Sequence, residues 1–149
     1  MNLRTGVGML ITVLVFGALL ETAAQEKAKS PNSVYAELGK APEKSRTKQN
    51  PLSRDPEARA AGEVLFEEHC VECHGEHGQG GKKAPSLRAA EVQEASDGAL
   101  FWILTNGVVR KRMPVWSKLP EPQRWQLVTY IKSLGGEEVK KQESKEVAK

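Results

Sequence analysis

Cys70-Val71-Glu72-Cys73-His74 sets two thiols three residues apart, with an imidazole at the next position. Thiols at that spacing can bond covalently to the vinyl groups of a haem, and the imidazole can then bind the iron from the same side. No other common chemistry uses all three positions, although three others use parts of the set. A Cys-x-x-Cys pair can cycle as a redox disulfide, but the flanking residues lack the βαβ pattern that such a pair accompanies. Cys70, Cys73, His74 and His77 have the atoms for a zinc site. Structural zinc usually takes two ligand pairs from separated segments, whereas these four fall within eight residues. A plain disulfide across so short a loop would remove little entropy from the unfolded chain.

An iron that only exchanges electrons is best served by two strong axial ligands, which exclude water and limit rearrangement. Met1 and Met9 lie at the extreme N-terminus, so Met113 is the one methionine left for the second position. Methionine also fills gaps in cores, the plainer reading of Met113. His69 and His77 are rivals. His69 adjoins Cys70 and should point away, His77 shares the loop after His74, and both are expected to be exposed.

The elements that must carry these residues follow from caps and periodicity. Asp55-Pro56-Glu57 opens a helix: Asp caps free amides, Pro suits the first helical position, and Glu favours the positive end of the dipole. This helix should run to about His69, with Ala58, Gly62, Leu65, Phe66 and Cys70 near one face. Glycines at 75, 78, 80 and 81 mark an irregular loop. Ser96-Asp97-Gly98 starts a second helix over 99–105, stopped by Asn106-Gly107. The third should span 121–134, with Trp125, Leu127, Val128, Ile131 and Leu134 forming its apolar side and Gly135-Gly136 closing it. Pro120 and Pro122 predict a ragged start.

Around this domain, 55–136, lie three appendages. Residues 1–24 carry Arg4, an apolar run over 7–20 and the small-residue context Thr22-Ala23-Ala24, the pattern of a secretory signal peptide. Fourteen helical residues span about 21 Å, short of a hydrocarbon core of roughly 30 Å, so an uncleaved anchor is the lesser reading. Residues 25–54 are polar and without sustained period, and are expected to form a flexible tether. Residues 137–149 read as a charged disordered tail. The tether holds seven basic against three acidic residues, a net of +4, while 55–136 holds ten against eleven, a net of −1. The basic balance therefore belongs to the tether, which argues against a nucleic-acid footprint on the domain.

Gly62 and Phe66 stand eight and four residues before Cys70, and Leu127 and Tyr130 lie three apart on the last helix. This register resembles the crossed N- and C-terminal helices of class I cytochromes c, over residues 55–136. The resemblance implies an all-α fold of three main helices wrapped around one covalently bound haem c, held by Cys70 and Cys73. It implies that His74 and Met113 ligate the iron, because Met113-Pro114 matches the distal loop of the family. Pro85 matches the residue whose carbonyl accepts a hydrogen bond from the proximal imidazole, and Leu87, Phe101, Trp102, Val108 and Trp116 fall where haem-wall residues are expected. Arg88 or Trp116 would reach a propionate.

The function these residues imply is a monohaem electron carrier, exported to the periplasm, which makes and breaks no substrate bonds. Its partners would be a redox donor and acceptor with acidic docking faces, drawn to Arg110-Lys111-Arg112 with Lys82, Lys83 and Lys118 extending the patch; a solvated charge run is the plainer reading. Two alternatives are a haem enzyme or gas sensor with a labile Met113, and a cytochrome subunit of a larger oxidoreductase, tethered to a membrane by the N-terminal segment. A domain of about 80 residues has little core of its own, so the haem should be its central packing element. Cys70→Ala combined with Cys73→Ala should abolish haem that survives acidic organic extraction of the protein made with haem-attachment machinery. Equally resistant haem in the double variant would refute the attachment.

Overall fold

The computed structural model describes residues 35–147. The expected signal peptide at 1–24, the first part of the tether and the last two residues lie outside the described residues. The described residues from Glu37 onward belong to one compact unit. Its helices are α1 (Glu43–Arg46), α2 (Pro56–His69), α3 (Val71–His74), α4 (Ala90–Gln93), α5 (Asp97–Asn106) and α6 (Glu121–Val147), with single 3-10 turns at Leu38–Lys40 and Val109–Lys111. Among the described residues the one β-type pairing is an isolated antiparallel bridge between Val108 and Met113. The fold is all-α, with α2, α5 and α6 as its three main helices.

Local chemistry sets the starts of these helices. Asp55 accepts from the Glu57 and Ala58 amides at the head of α2, and Ser96 accepts from Ala99 at the head of α5. The amide of Arg124 bonds to the Pro120 carbonyl (3.2 Å), so α6 starts in order in spite of its two prolines.

The core is the crossing of α2 with α6. A Cβ on Gly62 would fall 2.1 Å from the Gln126 carbonyl oxygen, so only glycine lets the two backbones meet there. One turn on, the Phe66 and Tyr130 rings pack with centroids 5.2 Å apart. Phe66, Leu127, Val128 and Leu134 are fully buried around this contact. Phe101, expected at a haem wall, is instead a core residue: Trp125 stacks on its ring at 4.0 Å, and the Arg124 guanidinium lies over it at 4.7 Å.

Two expected appendages differ. Residues 37–54 are not a loose tether but a strap packed on α5 and α6. Ala41 is 2% exposed, and the Ser45 carbonyl approaches Gly98 so closely that a Cβ there would lie 1.9 Å away. Asn50 is buried and donates to Thr129 Oγ1 (2.9 Å) and the Trp125 carbonyl (3.4 Å), while Thr129 Oγ1 donates to the Leu52 carbonyl (3.1 Å). The strap is held by backbone approach, one buried amide and the pairing of Glu37 with Arg110, which leave no hydrophobic period in the sequence. At the other end, α6 passes through Gly135-Gly136 and continues to Val147, in place of the expected disordered tail. Glycine costs about 1 kcal/mol in a helix relative to alanine but does not forbid it, and the segment beyond is rich in Glu and Lys, both good helix formers.

Gly62→Ala tests the crossing. Alanine gains about 1 kcal/mol of helix propensity, but its methyl would strike a backbone carbonyl that no rotamer change can move. Overpacking of that kind typically costs ~1–3 kcal/mol, and a backbone clash falls at the upper end. Chemical denaturation of the purified protein should show a net loss of stability; a gain would mean that the helices do not cross at Gly62.

Candidate functional site

The site begins where α2 ends. Cys70 terminates α2 and precedes α3, with its amide bonded to Phe66 (2.8 Å), so the α2–α6 crossing fixes where the motif stands. The amides of Cys73 and His74 both donate to the Cys70 carbonyl, at 3.1 and 2.9 Å, which winds the two thiols and the imidazole onto one helical turn. Cys70 is half-buried, Cys73 is exposed, and no disulfide joins them. Burial, reinforced by neighbouring Cys73, pushes the Cys70 thiol up to about 12. A redox-active cysteine needs the opposite shift, so the disulfide-exchange reading is not supported. The zinc reading fares no better: among the described residues no three His, Cys, Asp or Glu side chains cluster as a metal site, and His77 is exposed.

His74 is placed by its hydrogen bond. Its Nδ1 lies 3.0 Å from the Pro85 carbonyl oxygen. A carbonyl can only accept, so the ring proton sits on Nδ1 and the lone pair of Nε2 is left for a metal. Burial lowers the His74 pKa, against an opposing effect of the Pro85 hydrogen bond. The imidazole is therefore neutral at pH 7, the form in which it ligates.

Met113 lies on a separate loop. Its amide donates to the Val108 carbonyl (3.2 Å) and its carbonyl accepts from Val108 (3.0 Å), closing a small hairpin over the 3-10 turn. Gly107 enters this hairpin at φ +65°, ψ −177°, a conformation almost confined to glycine. Arg112, just before Met113, is the one non-glycine described residue at positive φ (+67°). Trp116 ties the loop to both neighbours: its amide donates to the Leu104 carbonyl of α5 (3.0 Å), and its ring packs on His69 at 5.0 Å. His69 adjoins Cys70, so Trp116 brings the Met113 loop to the cysteine turn. His69 itself is half-buried rather than exposed, because it carries this contact.

The other expected site residues are half-buried: Leu87, Trp102, Val108, Met113 and Trp116 are neither in the closed core nor fully in solvent. Leu87 donates its amide to Gly78 (2.7 Å), which holds it against the loop after His74. The donor set fits a covalently bound haem: two thiols, a neutral imidazole with Nε2 open, and a thioether on a loop held to the same turn.

The basic patch is smaller than expected. Lys83 pairs with Glu72 (2.9 Å), which holds the Glu72 carboxyl below its usual range. Arg110 pairs with Glu37, whose carboxylate also takes Lys40 (2.9 Å) and is only 13% exposed. Val109 and Val115, at 69% and 45% exposure, flank Met113 with apolar surface. Glu37, Asn50 and Gln93 were not legible as site supports, because each acts through a partner remote in sequence.

Comparison with known proteins places the chain by family and fold. The model of the family cytochrome c oxidase, cbb3-type, subunit III matches residues 57–131, about half of the chain. A cbb3-type cytochrome c oxidase subunit CcoP from Rubrivivax gelatinosus is 29% identical over 118 residues, covering 77% of this chain and 37% of that protein. The CcoP of Azospirillum brasilense is 35% identical over 95 residues, covering 58% and 32%. The chain thus spans about a third of the length of these curated relatives. The crystal structure of Cytochrome CL from the marine methylotrophic bacterium Methylophaga aminisulfidivorans superposes with a TM-score of 0.52 at 30% identity, covering 58% of this chain and 59% of that one.

Gly107→Ala should open the Met113 hairpin, since its Cβ would lie 2.6 Å from the Pro114 carbonyl oxygen in a backbone region alanine disfavours. Amide exchange at Met113 should accelerate by about tenfold or more, from a strain of ~1–3 kcal/mol. Unchanged protection would mean that this bridge does not hold the loop.

Proposed function

Because this chain belongs to the family of cytochrome c oxidase, cbb3-type, subunit III, we propose that residues 55–136 hold one haem c and relay single electrons as the cytochrome subunit of a larger oxidoreductase. The observation that carries the reading is the His74 turn: Nδ1 committed to Pro85, Nε2 open, and both thiols on the same turn. Cys70 and Cys73 would attach the group, and His74 and Met113 would supply the ligands to its iron. When bound, the haem supplies one-electron chemistry at its iron.

The chain's own residues set the terms of that exchange. Pro85 orients His74 and strengthens it as a donor. A thioether at Met113 favours the ferrous state over the ferric, and so raises the potential relative to a second histidine. Leu87, Trp102 and Trp116, all half-buried, would flank the group and limit water. Val109 and Val115, with the basic residues around Met113, form the face for an acidic redox partner. Among the described residues no helix is long and apolar enough to cross a membrane. The domain works on the periplasmic side, with the N-terminal segment serving as its export signal or its anchor. The curated relatives favour a subunit over a free carrier, since the two CcoP proteins named above are subunits of an oxidase. Co-purification of the chain with a membrane oxidoreductase supports the subunit role; recovery as a soluble protein alone contradicts it.

Met113→Ala tests the second ligand. The ferric protein should show the weak charge-transfer band at the red edge of the visible that reports sulfur–iron bonding. The variant should lose it and, when reduced, bind carbon monoxide readily. A band that persists would assign the position to another residue, and rapid carbon monoxide binding by the unaltered protein would favour the sensor reading.

A further inference from the structure

Gln93 belongs to no motif, yet it joins the loop that holds His74 to the C-terminal helix. Its side-chain amide donates to the Leu87 carbonyl (2.7 Å) and to the Ile131 carbonyl of α6 (3.0 Å). Gly135 makes the slot for it: a Cβ there would fall 2.6 Å from Gln93 Oε1 and 2.8 Å from its Cδ. The backbone is fastened as well, since the Lys132 ammonium donates to the Gln93 carbonyl and to that of Ala95 (2.9 Å).

Leu87 is thereby gripped on both sides. Its carbonyl accepts from Gln93, and its amide donates to Gly78 (2.7 Å) in the loop that follows His74. Behind it the same segment is pressed against that loop: a Cβ on Gly80 would lie 2.4 Å from the Ser86 nitrogen and 2.6 Å from the Pro85 carbonyl carbon. The Gly80 amide itself donates to His74 (2.7 Å). The Gln93 amide thus clamps Pro85-Ser86-Leu87 to α6, two residues from the carbonyl that accepts the His74 hydrogen bond.

We propose that Gln93 is a positioning residue for His74, fixing the 85–87 segment to α6 and so setting the strength of the bond from His74 Nδ1 to Pro85. The consequence for reduction potential rests on the reading of His74 as an iron ligand; the consequence for the hydrogen bond does not. An imidazole whose N–H is firmly held is the stronger donor to iron and stabilises the ferric state. Loosening the clamp therefore raises the potential.

Two variants reach the clamp by different routes. Gln93→Met keeps the length and removes both donors. Gly135→Ala leaves Gln93 intact but fills its slot, with a residue that favours the helix. Asn50→Ala is the control, since it removes comparable hydrogen bonds to α6 at Thr129 and Trp125, on other partners than 85–87. The full chain is purified, and the exchange of the His74 Nδ1 proton is followed by NMR together with the reduction potential. Both clamp variants should exchange that proton about tenfold faster, the loss expected for one hydrogen bond, and shift the potential upward. Asn50→Ala should lower the denaturation midpoint and move neither. Unchanged exchange in both clamp variants, or equal shifts in Asn50→Ala, would overturn the proposal. Faster exchange in a protein that binds no haem would uphold the clamp and remove the iron-ligand assignment instead.

Discussion

The close crossing of α2 and α6 at Gly62 is the contact on which the other placements depend. It sets the end of α2, and through the Cys70 amide it sets the turn that carries both thiols and His74. The helix on the far side of the crossing then serves as a common anchor. Thr129 of α6 takes the strap through Asn50, and Ile131 takes the proximal loop through Gln93. Leu127, Val128 and Leu134 seal the crossing itself. One apolar seam, about two turns long, thus positions groups that are far apart in sequence.

The two sides of the site are built on different principles. The His74 side is rigid and polar, a run of backbone amides and carbonyls closed by Pro85, Gly78 and Gln93. There burial keeps the imidazole neutral while the hydrogen bond fixes its tautomer. The Met113 side is a hairpin of one bridge and one 3-10 turn, with a left-handed arginine beside the thioether. Strain of that kind persists only where the surroundings over-determine it. Here the paired Val108 and Met113, the Trp116 contact with His69 and the Glu37–Arg110 pair do so.

Much of this was legible in the sequence, for local reasons. Asp55-Pro56-Glu57 and Ser96-Asp97-Gly98 are caps, and caps act within a few residues of themselves. The register of Gly62 and Phe66 with Cys70, and of Leu127 with Tyr130, was legible through its resemblance to the crossed helices of class I cytochromes c. What escaped is what depends on tertiary contact. Residues 37–54 looked like a solvated tether, since a strap held by carbonyls against Gly98 and by one buried asparagine has no apolar period. Gly135-Gly136 looked like a stop, although neighbouring residues of high propensity carry the helix onward. Phe101 looked like a wall residue because burial against Trp125 and burial against a cofactor read alike in a sequence.

The account reduces to a claim about one redox centre of defined ligation on this chain. An anaerobic spectroelectrochemical titration of the purified full-length protein addresses it most directly. The account predicts a single reversible one-electron transition, with six-coordinate low-spin spectra in both oxidation states and one haem per polypeptide. Two transitions, a high-spin spectrum in either state, or no haem on the chain would contradict it.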